Sequence, residues 1–125
     1  MSHPQKGKTG VRRIWNAMFY SFAGLASAFR HESAFRQEVL LAAVFLSLAW
    51  LLDLPWASKA VLIACVMLVL IVELLNSAIE AIVDRVSLEF HPLAKRAKDI
   101  GSAAVFLSLA TLVMVWALVL LDRFG

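Results

Sequence analysis

Between Val66 and Val86 the chain reads VMLVLIVELLNSAIEAIVDRV, apolar enough to enter a bilayer yet carrying Glu73, Asn76, Ser77, Glu80 and Asp84. Carboxylates can take a proton from a reacting hydroxyl, hold a cation or relay protons. An amide and a hydroxyl among them can orient a bound group. At about 100° per residue, all five fall within roughly 60° either side of Glu73, on one face of one helix. That grouping lines a site. Glu73 and Glu80 are two turns apart, about 10 Å along the axis. A magnesium ion takes its oxygens at about 2.0–2.1 Å, so these two carboxylates cannot share one ion. If both act, they do different work.

Depth separates them too. A helix that starts near Ser58 at the outer surface carries Glu73 roughly 22 Å down and Glu80 roughly 33 Å down. Hydrocarbon is about 30 Å thick. Glu73 then lies just inside the cytoplasmic boundary, with Glu80 and Asp84 at or beyond it. An ionisable residue in a span is a functional candidate by default, with interhelical glue and a proton or ion path as rivals. Spacing alone names neither a reaction nor a substrate.

The elements that must position this face are helices in lipid. Of 125 residues, 62% are hydrophobic and 17% charged. Soluble domains are nearer half apolar and a quarter charged, so lipid must act as solvent for part of the chain. The net charge of +3 comes from bases clustered at the ends of apolar runs, which indicates membrane orientation and no nucleic-acid partner. Cys65 is the only cysteine, so neither an intrachain disulfide nor a cysteine metal site is available. GKT at residues 7–9 lacks the earlier glycine of a phosphate loop, because Ser2 stands in its place.

Residues 1–10 form a loose polar tail. Residues 11–37 read as a basic amphipathic helix, with Val11, Trp15, Met18, Phe22, Leu25 and Phe29 on one stripe. Such a helix lies in the membrane interface or packs on its own spans. Glu32 and Arg36, four apart, can pair on it. Three transmembrane helices follow, over about 38–53, 57–86 and 99–121. Pro55 punctuates the first connection and Pro92 the second. Trp50, Trp56 and Trp116 are placed at the outer interface, where aromatic belts sit. Gly101, Ser102, Ala103 and Ala104 are small enough for close helix approach. Lys6, Lys8, Arg12, Arg13, Arg30 and Arg36 precede the first span, and Arg85, Lys95, Arg96 and Lys98 flank the second connection, whereas the first connection holds only Lys59. The N-terminus and the second connection are therefore expected in the cytoplasm. The fold class is an all-α membrane bundle in one domain.

ELLNSAIEAIVDR, the later RAKDIGSAAV and the upstream ESAFRQE together resemble the small integral-membrane diacylglycerol kinases of Gram-negative bacteria, from about Arg13 to Gly125. The resemblance implies a homotrimer in the inner membrane, with active sites shared between subunits at the cytoplasmic face. It implies transfer of the ATP γ-phosphate to diacylglycerol with magnesium, giving phosphatidic acid. By motif, Glu73 resembles the general base and Asn76 a group that orients the phosphate or the base. Glu32 and Glu80 resemble the metal pair. Tyr20, Ser21, Glu32, Glu80, Glu89, Phe90, His91, Lys98 and Asp99 match nucleotide positions. Arg13, Ala34, Phe35, Arg36, Gln37, Glu38, Glu73 and Ser102 match positions on the lipid side.

Two rivals follow. Related Gram-positive members phosphorylate undecaprenol, and the base and metal residues do not separate that alcohol from diacylglycerol. The other rival is a small oligomeric proton or ion pathway along Glu73, Asn76 and Glu80, which needs no nucleotide. Magnesium-dependent ATP binding discriminates against it.

Overall fold

A computed structural model describes residues 10–86 and 91–125, which form four helices: α1 (Gly10–His31), α2 (Ser33–Leu51), α3 (Trp56–Val86) and α4 (Pro92–Phe124). The last three are each long and apolar enough to cross a membrane. At about 1.5 Å per residue, the 19 residues of α2 reach about 28 Å, close to a hydrocarbon layer of about 30 Å. The 31 residues of α3 and 33 of α4 reach about 46 and 50 Å, so both overrun it. The polar end of α3 and the basic start of α4 occupy that excess.

No residue of α1 is buried. Its apolar stripe, including Val11, Trp15, Met18 and Phe22, stays exposed. The protomer's own spans do not cover it, and an interfacial helix needs that face free for lipid.

The amphipathic pattern runs on to Gln37, but α1 ends at His31. Glu32 is extended (φ −115°, ψ 105°), and residues 33–37 form the first turns of α2. The Arg36 guanidinium stabilises this elbow by donating to the carbonyls of Phe29 at 2.8 Å and Arg30 at 3.0 Å. These are terminal carbonyls of α1 with no partner inside the helix. Arg36 is thus engaged with backbone, in place of the pairing with Glu32 that their spacing allows.

Packing is densest between α3 and α4, with α2 against α3. Ala42 and Ala49 let α2 come close, and Leu62, Cys65 and Val66 fill the seam from α3. Trp116 belongs to this core rather than to the outer interface. It is 6% exposed, stacks edge-on against Phe45 at 4.9 Å and donates its indole N–H to Leu62 O at 3.3 Å. Of the small residues opening the apolar part of α4, Gly101 is buried, whereas Ser102, Ala103 and Ala104 face outward.

The end of the bundle away from Glu80 is tied across helices. Arg123 donates to the Asp53 carboxylate at 2.7 Å and to its carbonyl at 2.9 Å. Lys59 donates to Trp50 O and lies over the Trp50 and Trp56 rings. These two tryptophans flank the α2–α3 turn as their spacing implies.

Candidate active site

The polar face of α3 is one face by rotation, yet its residues meet different neighbours. Glu73 and Asn76 are buried, Ser77 and Glu80 half-buried, and Asp84 exposed. The helix therefore passes from a dry, enclosed carboxyl to a solvated one within three turns.

Glu73 turns toward α2, where the Glu38 carboxyl meets it at hydrogen-bonding range. Two carboxylates so close repel each other unless a proton is shared between them. The Glu38 Oε2 atom is itself buried without a hydrogen-bond donor among the described residues. Asn76 turns toward α4, where Gly101 has no side chain to exclude it. The Asn76 Oδ1 is likewise buried and unpartnered. Two buried acceptors beside a buried carboxyl form an unusual lining, since buried polar atoms ordinarily find partners. A ligand that brings an O–H donor suits it.

Ser77 turns toward the α1–α2 elbow and donates to Glu32 Oε1 at 3.3 Å. Ser77 and Glu32 line a cleft of about 740 Å³ between α1 and α3, with Ser21 and His31 on its α1 wall. Tyr20 is exposed and does not line that cleft. Asp84 pairs with Lys98 of α4 at 2.6 Å, and Lys98 also feels the charge of Glu80. Asp99 pairs instead with Lys95, also at 2.6 Å.

His91 accepts from the Leu93 N–H at 3.0 Å, so it caps α4 with Pro92 at the first helical position. Glu89 and Phe90 lie outside the described residues. On the lipid side, Phe35 is buried in the elbow, beside a second, largely apolar cleft of about 680 Å³ that Arg30 and Arg36 border. Ala34, Gln37 and Ser102 are exposed, as is Arg13 on α1. The described geometry thus brings the half-buried Glu38 to the buried Glu73, with the buried Asn76 one turn along α3. It sets Glu32 and Ser77 on one side of α3, and Lys98 with Asp84 on another.

Sequence reasoning passed over three contributors. Ser77 was on the polar face but without a partner. Glu38 was grouped with lipid positions, and its contact with Glu73 crosses between helices. Gly101 was read only as a small residue.

The donor set fits magnesium. Among the described residues, no three His, Cys, Asp or Glu side chains gather into a ready cage. Magnesium is commonly held by one or two carboxylates plus phosphate oxygens, and keeps several waters. The Ser77–Glu32 hydrogen bond seats Glu32 against α3, one turn from Glu80. Glu32 and Glu80 are therefore a suitable carboxylate pair for a cation arriving with phosphate.

The family model for prokaryotic diacylglycerol kinase matches residues 19–120. A diacylglycerol kinase of Pseudomonas aeruginosa is 58% identical over 118 residues, covering 94% of this chain and 96% of its own. That of Escherichia coli K12 is 47% identical over 117 residues, with the same two coverages. One from Helicobacter pylori 26695 is 45% identical over 118 residues, covering 94% and 91%. A match across most of the chain, on a bundle whose third helix carries buried and solvated acids on one face, has one consequence: the chain belongs to the prokaryotic diacylglycerol kinase family.

Proposed function

We propose that this chain is an ATP-dependent diacylglycerol kinase of the bacterial inner membrane, with its site at the cytoplasmic boundary. One observation carries the reading. A single helix face holds Glu73 inside the apolar bundle and Glu80 and Asp84 toward water. A lipid alcohol and a water-soluble nucleotide are reactants of opposite solubility, and such a face lets them meet.

In this reading the diacylglycerol hydroxyl enters beside Glu73, near the unpartnered Glu38 and Asn76 oxygens. Glu73 accepts the hydroxyl proton as the alcohol oxygen attacks the γ-phosphorus. A new P–O bond forms, the bond from the γ-phosphorus to the β–γ bridging oxygen breaks, and ADP leaves. Asn76 orients the transferring phosphoryl group. Glu38, in contact with Glu73, holds the base in place. Glu32 and Glu80 would hold magnesium, which when bound neutralises charge on the phosphate oxygens. Lys98 supplies a further positive charge for the phosphates, and Asp84 holds it against α3. Little covalent work falls to the protein in phosphoryl transfer; positioning and charge stabilisation dominate.

The outward faces of α2, α3 and α4 remain apolar, and Glu80 is only half-buried. A homotrimer with sites shared between neighbours would cover part of that surface.

The test offers diacylglycerol and undecaprenol, separately and together, with labelled ATP and magnesium in mixed micelles. Label passing to diacylglycerol in preference to undecaprenol is expected. Preferential labelling of undecaprenol would move the chain to the other alcohol. Absence of nucleotide binding would remove kinase activity altogether.

A further inference from the structure

Gly101 is the first buried position in the apolar stretch of α4, and it faces the buried Asn76 of α3. A Cβ built at Gly101 would overlap Asn76 Oδ1 and stand 3.2 Å from its Cγ. The conflicting atoms belong to a short side chain with two rotatable bonds, enclosed between helices. Asn76 is only 8% exposed, so it has little room to retreat. Gly101 lies within a helix, where its missing side chain costs propensity relative to alanine. Neither turn nor positive φ calls for glycine there. Close approach of the Asn76 amide is the feature that does.

We propose that Gly101 is a positioning residue for phosphoryl transfer: its missing side chain is the seat that fixes the Asn76 amide beside Glu73. This rests on Asn76 acting in the reaction. Asn76 and Glu73 are three apart on α3 and therefore neighbours on its surface. A displaced amide would turn away from the phosphoryl group or press on the base. Such an error falls on the transition state, so kcat drops while KM for Mg·ATP holds.

A double-mutant cycle over Gly101→Ala and Asn76→Ala tests this, reading kcat and KM with diacylglycerol in mixed micelles. Asn76→Ala is expected to lower kcat by about 10²-fold, as removal of one transition-state hydrogen-bonding group does. Gly101→Ala should approach that loss at unchanged KM. The double variant should fall no more than about threefold below Asn76→Ala alone, because residues that act through one another are not additive. Additive losses, or Gly101→Ala with wild-type kcat, overturn the proposal. Full activity in Asn76→Ala would instead overturn the role given to Asn76. Should Gly101→Ala fail to fold, the double variant decides: relief of the overlap must restore folding to the level of Asn76→Ala, and continued misfolding refutes the proposal.

Discussion

Replacing Trp116 by phenylalanine tests how the three spans are held together. Trp116 donates to Leu62 O at 3.3 Å and packs edge-on to Phe45 at 4.9 Å. Phenylalanine keeps an aromatic ring against Phe45 but loses the N–H and one ring's worth of volume. Interhelical hydrogen bonds in membranes average about 0.6 kcal/mol. The lost volume is roughly 40 Å³, which at about 24 cal/mol per Å³ of cavity adds about 1 kcal/mol. The sum is about 1.5 kcal/mol. Trp15, 58% exposed on α1, is the control; Trp15→Phe should stay within about 0.5 kcal/mol of wild type. Reversible unfolding of the micelle-bound protein by sodium dodecyl sulfate, followed by circular dichroism, measures both. If Trp116→Phe is as stable as Trp15→Phe, Trp116 acts as an interfacial anchor, and the core assigned to it is wrong.

Glu80→Gln removes one carboxylate of the proposed metal pair and should raise the magnesium half-saturation of turnover by at least about tenfold; an unchanged magnesium titration would take Glu80 out of that pair. Chelation of magnesium should stop turnover of the wild type, with full recovery on its return. Asp84→Asn breaks an exposed pair with Lys98, so the unfolding midpoint should hardly move. Its KM for Mg·ATP should rise by less than about tenfold at constant kcat, as loss of a ground-state contact does. A fall in kcat would place Asp84 in the chemical step.

Much of the bundle was legible because apolar periodicity and proline punctuation are local. The start of α3 follows from Pro55 and its apolar run, and the polar face on it from rotation. The elbow at Glu32 was not legible. RHESAFRQE contains neither proline nor glycine, and the turn depends on Arg36 reaching back to two carbonyls of α1. Trp116 was misplaced for a related reason. Lipid tails are as apolar as a protein core, so a large apolar residue such as tryptophan does not by itself tell a face toward lipid from a face toward protein. His91 could have been read as a cap, since it directly precedes a proline suited to the first helical position. Within the site, the sequence carries which residues share a face of α3. It does not carry which neighbour each one meets, so the Glu38–Glu73 contact, the Ser77–Glu32 bond and the seat at Gly101 needed the packed helices.

The central claim is that Glu73 takes the proton from a lipid alcohol while other carboxylates serve the nucleotide. Label transfer from ATP to diacylglycerol in mixed micelles, compared between wild type and Glu73→Gln with Mg·ATP binding measured on the same samples, tests it most directly. The glutamine is isosteric and can donate its amide N–H to Glu38, so the fold should survive. Transfer should fall by about 10²- to 10⁴-fold, the usual contribution of a general base, with Mg·ATP binding retained. Wild-type transfer by Glu73→Gln would contradict the account.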